Sequence, residues 1–414
     1  MISESDVYVW IWLPATTRPV VAGRLTRTPR GLQFTYGRSY LRRKDAIPLS
    51  PRELPLTEGM QTLLPGLIMP GCLRDASPDA WGRRVVLYRL LGSGGQDTDP
   101  GTVDERTFLI ESGSNRIGAL DFQKSATEYV ARLGDTASLD ELQAAADRLD
   151  RGLALSEALE SALLHGSSIG GARPKALLHD AEVPYIAKFS STTDLYPVVK
   201  AEYAAMRLAR IVGIRAADVR MVRAAGRDVL LVKRFDREPG EDGFHRRHML
   251  SALTLFELDE MMARYASYEQ LTHIVRHTFA DPQATLRELF ARLVFNILCG
   301  NTDDHARNHA AFWDGKAYHL TPAFDICPQL RTGGEAVQAM FIHGDNRFSR
   351  LDVCMAAAPL FHMSPGDAKA VMDRQVETIR TAWPDIADEA RLTSTERAQM
   401  WGRQFLNPYA LTVS

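Results

Sequence analysis

Cysteine is scarce. Four residues, Cys72, Cys299, Cys327 and Cys354, are spread over 414 positions and form no CxxC pair. That excludes a disulfide framework and a zinc finger, and Cys299 and Cys327 read as small buried hydrophobes. Net charge is nearly absent too, at −2. Bulk electrostatics therefore draw the chain toward neither nucleic acid nor a membrane surface, so any DNA contact would be indirect, through a partner, or rest on a local patch. No apolar run approaches the roughly 18 residues a membrane-spanning helix needs. The opening stretch, MISESDVYVWIWLP, has acidic residues before a short apolar run, where a signal peptide has a basic segment and a cleavage site. The expectation is a cytoplasmic protein. No internal repeat or low-complexity tract is found.

What is present is ordinary for a globular protein: 45% apolar and 24% charged residues, at a length that suits two or three domains. The aromatic and β-branched pattern of residues 1–50 predicts a small antiparallel sheet. In DASPDAWGRRVVLYRLLG, Ser77 suits an N-cap, Pro78 the first helical position and Gly92 the stop. Residues 93–104 read as loop and 137–164 as strongly helical. A glycine-rich turn, GSSIGGARPK (166–175), leads into a hairpin turning near His179 to Val183. A helix over 197–214 follows, ending at Gly213, then two strands around Gly226. From about residue 247 helices dominate, with a hairpin around Asp314-Gly315 and a mostly helical segment over 363–402. The order, sheet-rich and then helix-rich, gives an expected α+β, two-lobed architecture with a β-rich N-terminal subdomain (1–105), an N-lobe (106–240) and a helical C-lobe (241–414); the groups that follow make the expectation protein-kinase-like, with 106–240 as the ATP-binding N-lobe.

Several groups could carry chemistry. The turn at 166–175 lets backbone N–H groups approach phosphate, but it is neither GxxxxGK[ST] nor GxGxxG, so a plain hairpin loop remains open. Lys188 ends an apolar β run in PYIAKF and asks for a partner. Glu202 on the next helix could provide it, as protein kinases pair a strand lysine with a helix glutamate. Each alone would be an ordinary surface charge. In GNTDDHARNH (300–309), Asp303 precedes Asn308 by five residues, the separation of a kinase base aspartate and its magnesium-binding asparagine. Asp304 fits that spacing less well. Asp325, in AFDICP, follows across a hairpin where a kinase places its metal aspartate, although Ile326 stands where glycine is usual. By itself Asp325 would be a turn residue. Oxygen donors from Asn308 and Asp325 suit Mg2+ beside ATP, and Asp303 would accept a hydroxyl proton.

His305 and His309 open a second reading. With Asp303 and Asp304 they could form a metal-dependent hydrolase site. H-E-x-x-H is absent, however, and buried or capping histidines are the plainer account.

Together these stretches resemble the HipA family of bacterial serine/threonine kinases, the toxin half of HipBA-type toxin–antitoxin systems. The likeness is carried by DASPDAWGRR, RIGALDF, SSIGGARPKALL, YIAKF, AEYAAMRLARIVGI, VKRFDR, NTDDHARNHAAF and LTPAFDI, and so runs through nearly the whole chain. It implies a phosphate loop including Ser168, Ile169, Gly170 and Gly171, with Lys188 on ATP phosphates and Glu202 bracing it. The backbones of Lys233 and Phe235 would meet adenine. Asp303 would be the catalytic aspartate, and Asn308 and Asp325 would bind magnesium. Ser168 matches a serine that family members autophosphorylate, with Ser167 adjacent. The implied partners are a protein substrate, in known cases an aminoacyl-tRNA synthetase, and a HipB-like helix-turn-helix antitoxin that would make the DNA contact. A non-catalytic member acting only as corepressor is the third reading.

Overall fold

The computed structural model describes residues 6–92, 98–133, 137–151, 173–180, 183–191, 194–331 and 333–412, together with 153, 155, 156, 159, 160, 163, 167 and 168. The chain divides into two compact units. The first comprises residues 1–193, 222–250 and 312–316, and the second 194–221, 251–311 and 317–414.

The first unit holds two four-stranded antiparallel sheets, except that residues 219–221 of one strand are grouped with the second unit. One is built from β1 (Val7–Ile11), β2 (Val20–Thr28), β3 (Gly31–Tyr36) and β4 (Leu120–Gln123), in the order β3-β2-β1-β4. The expected N-terminal sheet is therefore present, and its fourth strand comes from RIGALDF: Ile11 pairs with Leu120 and Tyr8 with Gln123. The other sheet has β5 (Lys175–Asp180), β6 (Val183–Phe189), β7 (Val219–Ala224) and β8 (Arg227–Lys233), in the order β5-β6-β8-β7. Asp180 faces Val183 across the expected hairpin, and Lys175 faces Lys188. Between β7 and β8 only Ala225 and Gly226 intervene, both at positive φ, the backbone a two-residue turn needs to follow strand twist. A further hairpin, β9 (Arg237–Gly240) with β10 (Gly243–Arg246), is not visible in the hydrophobic pattern.

Helix α1 (Ala80–Leu91) is capped by Asp79, whose carboxylate accepts from the Gly82 N–H at 3.2 Å. The expected cap, Ser77, instead donates to Glu105 on α2 (Glu105–Glu111). Gly92, at φ +62, stops α1 as expected. The helical pattern over 137–164 begins as α3 (Leu139–Asp150), opened by a Ser138–Glu141 capping box. That helix closes at Arg151 rather than running on as one piece. Helices α1 and α3 lie on one face of the second sheet: Trp81, Val85, Leu142 and Leu149 pack with Ala176, Ala187, Phe189, Val229 and Leu231. Trp81 is completely buried, and truncating such a residue costs about 3–5 kcal/mol.

The second unit is mainly helical. It contains α4 (Val198–Ile211), α5 (Tyr268–Thr278), α6 (Pro282–Leu298), α7 (Pro365–Glu389) and α8 (Ser394–Met400). Gly213 follows α4 at φ +94. Helix α6 starts on an Asp281 cap with Pro282 in its first turn, and every residue from Leu289 to Leu298 except Ala291 is buried. It packs against α5 and α7, and α7 also packs against α4. The helices expected from about residue 247 begin only with the short turn Ala252–Leu255, because the Ser251 side chain caps it and the three residues Met249–Ser251 are extended. Among the described residues no helix is long and apolar enough to cross a membrane.

Candidate active site

The polar cluster begins where α6 must stop. Cys299 closes the helix and Gly300 follows at φ +71. A Cβ on Gly300 would lie 2.6 Å from the Gln404 carbonyl oxygen, so the left-handed turn and the close approach both require glycine. The next residue, Asn301, is held by Asn296: its N–H donates to the Asn296 carbonyl at 2.8 Å and its amide to the Asn296 side chain at 3.1 Å. The loop that follows turns tightly, with His305 N–H on the Asp303 carbonyl and Asn308 N–H on the His305 carbonyl, both at 2.9 Å.

Asp303 is exposed on this turn. The Asn308 side-chain N–H donates to the Asp303 carbonyl at 3.0 Å, which leaves the Asn308 amide oxygen as the acceptor. Asp325 is close enough for its charge to act on Asp303. Partial burial raises the Asp303 carboxyl above its ordinary value, the charges of Asp325 and Asp304 raise it further, and His305 opposes them. Asp325 itself sits at φ +58, a conformation that costs a non-glycine residue free energy and that clusters at working sites. The preceding chain is braced: Ala323 N–H donates to the Arg215 carbonyl at 2.7 Å, and its own carbonyl accepts from Ala217 at 2.8 Å. Buried Arg292 on α6 adds a 2.8 Å bond to the Thr321 carbonyl. The structure thus joins Asp303 and Asn308 by a hydrogen bond and places Asp325 within reach of the Asp303 charge. Their donor set, carboxylate plus amide oxygen, fits magnesium. Glu202 lies in the same unit, buried on α4.

Asp304 and His309 face inward. Asp304 Oδ1 is 2.8 Å from His309 Nε2, and its other oxygen accepts the Tyr268 hydroxyl. Burial alone would raise the Asp304 carboxyl. His309, by charge and hydrogen bond, together with bonds from Tyr268 and Asn296, outweighs that and holds it below the usual range. Asp304 and His309 are therefore not free to coordinate, and among the described residues no group of three or more His, Cys, Asp or Glu is arranged to hold a metal. The geometry disfavours the hydrolase reading. Cys299 is buried as expected, its thiol pushed up to about 12 by burial. Cys327 is only half-buried, a correction: it follows Ile326, which takes the interior position beside it.

The remaining predicted residues belong to the first unit. Lys188 lies half-buried on β6, between β5 and β8, opposite Leu230. Lys233 ends β8, exposed, and the half-buried ring of Phe235 meets Phe312 edge-on at 6.0 Å. Ser167 and Ser168 form a buried turn. Ser167 Oγ accepts from the Gly113 N–H at 3.2 Å. The turn lies over α1 at Gly82. Just beyond it Lys175, also buried, reaches Asp79 at 3.5 Å while its carbonyl accepts the Trp81 indole N–H at 3.1 Å. Ile169, Gly170 and Gly171 lie outside the described residues.

Sequence reasoning missed the charged core beside Lys233 and Phe235. Arg234 forks onto Asp236 with bonds of 2.9 and 2.7 Å, and Arg237 and the Gly118 N–H reach Asp236 at 2.8 Å each. Arg234 and Arg237 both donate to the Arg116 carbonyl, and Arg116 pairs with Asp121 at 2.8 Å. All five charged side chains are buried. The available signal was the interleaving of charge with apolar residues in RIGALDF and VKRFDR. Solvated charge is the usual meaning of that pattern, so it pointed the other way.

The α+β fold is shared with a solved HipA protein. A solved Shewanella oneidensis MR-1 HipA, in complex with HipB and operator DNA, shares the fold at a TM-score of 0.69 and 19% identity, over 95% of this chain and 98% of that one. The family profile described as HipA-like C-terminal domain matches residues 167–383, and that of the HipA N-terminal domain matches residues 13–123. The chain belongs to the HipA family. Among curated relatives, the serine/threonine-protein kinase toxin HipA of Shewanella oneidensis is 26% identical over 184 residues, 38% of this chain and 42% of that one. Y4mE of Sinorhizobium fredii, described as a candidate kinase, is 30% identical over 149 residues, 34% of each chain. The matched segments span less than half of those two relatives.

Proposed function

We propose that the protein is an ATP-dependent serine/threonine kinase of the HipA type, the toxin of a type II toxin–antitoxin pair, acting on a host protein. The observation that carries the proposal is the gathering of Asp303, Asn308 and Asp325: Asn308 bonds the Asp303 backbone, and Asp325 acts on the Asp303 carboxyl. In this reading Lys188 takes the ATP phosphates with Glu202 as its partner, and the backbones of Lys233 and Phe235 take adenine. Ser168, Ile169, Gly170 and Gly171 form the phosphate loop. The three-part layout at 1–105, 106–240 and 241–414 is the working division.

Asn308 and Asp325 would hold magnesium. When bound, it supplies charge neutralisation on the phosphate oxygens. Asp303 orients the acceptor hydroxyl. As the hydroxyl oxygen bonds to the γ-phosphorus, the bond from that phosphorus to the β–γ bridging oxygen breaks. The proton passes to Asp303 and ADP departs. A raised carboxyl suits this task, because a base of higher pKa takes the proton more readily.

The HipB and operator DNA bound by the Shewanella relative support a HipB-like helix-turn-helix antitoxin as partner here, with DNA reached only through it. Autophosphorylation of Ser168 or Ser167 is part of the proposal. A phosphate adds about −1.5 to −2 charges, which the buried turn has no room or solvation for, so the modified loop would leave its seat and the kinase would switch off. Mass spectrometry after incubation with Mg-ATP tests this, and unmodified serines refute it. The kinase itself is tested by labelled-ATP transfer in host lysate, with the Asp303→Ala protein as control. A labelled band absent from the control is expected. Equal labelling by both proteins would end the reading.

A further inference from the structure

Two adjacent carboxylates, alike in sequence, face opposite ways. Asp303 is exposed, whereas Asp304 is 2% and His309 3% exposed. The Asp304–His309 contact of 2.8 Å ties residue 304 to residue 309 across the loop's inner side. On the outer side, the Asn308 amide ties back to the Asp303 carbonyl. The third member of the inner tie is itself immobilised. Tyr268 opens α5, its N–H donates to the Phe341 carbonyl at 2.9 Å, and its buried ring packs on Phe361 and edge-on to His309 at 5.5 Å. The Tyr268 hydroxyl reaches Asp304 and lies 3.3 Å from His309 Nε2. The His309 carbonyl accepts from Ala252 N–H at 2.7 Å, and the Ala306 carbonyl from Leu253 N–H at 3.2 Å. Every tie described here lies within the second unit.

We propose that Asp304 is the positioning residue of the catalytic loop, acting through His309 and Tyr268 to fix Asp303 and Asn308 at their working separation. This rests on the phosphotransferase reading of those two residues. A five-residue span left to itself samples many conformations. A buried clamp across it removes that freedom before substrate arrives, which is where positional precision is gained. Asp304 is not a catalytic residue in this account: its carboxylate is turned away from the exposed face where a hydroxyl would meet Asp303.

The test uses the full chain with Asp304→Asn, which keeps size and shape, and Tyr268→Phe, which removes one hydroxyl. Three quantities are measured: release of labelled γ-phosphate from ATP, binding of trinitrophenyl-ATP with and without magnesium, and hydrogen exchange over residues 303–309 without nucleotide. Asp304→Asn should lower kcat about 100-fold and Tyr268→Phe less. The magnesium concentration for half-maximal nucleotide binding should rise several-fold, with metal-free binding unchanged, because Asn308 is displaced. Exchange should accelerate within 303–309 and not along α6. The proposal is overturned if kcat falls only as the folded fraction falls, with the magnesium midpoint unmoved, or if exchange in the loop is unchanged. If the wild-type protein neither binds nor cleaves ATP while loop exchange responds as stated, the phosphotransferase reading fails and the clamp stands.

Discussion

The backbone carbonyl of Ser167 occupies the space beside Gly82 where any other residue would carry its Cβ, only 1.9 Å from that position. The first turn of α1 thus seats the turn of Ser167 and Ser168, where the proposed phosphate loop would begin. Gly82→Ala should force the turn off α1, with an overpacking cost of about 1–3 kcal/mol. A lower Tm together with weaker ATP binding is expected in a thermal shift and nucleotide titration. Unchanged binding at unchanged Tm would show that the seat tolerates a methyl group.

Asp236 anchors the segment that carries Lys233 and Phe235. Burial alone would raise its carboxyl, but Arg234 and Arg237 outweigh burial and hold it well below the carboxylate range. Asp236→Asn leaves two buried guanidinium groups without their counter-charge, a loss of about 3–5 kcal/mol. The sign of the pH effect follows from the depressed folded value. The stabilisation is full above the unfolded carboxylate value of about 3.9 and fades as pH falls toward the folded one. The Tm gap between wild type and variant should therefore be widest near neutrality and narrow below about pH 4.

Asp303 behaves oppositely. Its folded carboxyl is raised, so the ionised form destabilises the fold at any pH above the unfolded value, and the effect disappears below it. In metal-free buffer near neutrality, Asp303→Asn should melt above the wild type while losing about 10²–10⁴-fold in phosphate transfer. A variant that melts lower would mean Asp303 makes structural bonds that outweigh its repulsion by Asp325 and Asp304.

Much of the frame was readable from residue order. The hairpin through Lys188, the helix bearing Glu202, the turn at Ala225-Gly226 and the long helix into Gly300 each follow from periodicity and from residues that permit or forbid a backbone angle. The spacing of Asp303, Asn308 and Asp325 was likewise legible. The sequence offers Ser77 as the cap of α1 where the structure uses Asp79, because both residue types cap helices and only a contact of Ser77 28 residues on, at Glu105, decides which one is occupied. The helical run over 137–164 reads as one piece because its pattern stays helix-favouring past Arg151, where α3 closes.

Local order in this chain, along with its membership of the HipA family, was set by the sequence, since backbone preference and hydrophobic spacing act over a few residues. Which of two neighbouring aspartates faces solvent was set only by the tertiary structure, as was the burial of Arg234, Asp236 and Arg116 instead of their hydration. A charge is buried only when partners from distant segments arrive with the right geometry. Those partners, Tyr268 for Asp304 and Gly118 for Asp236, are invisible until the chain has folded.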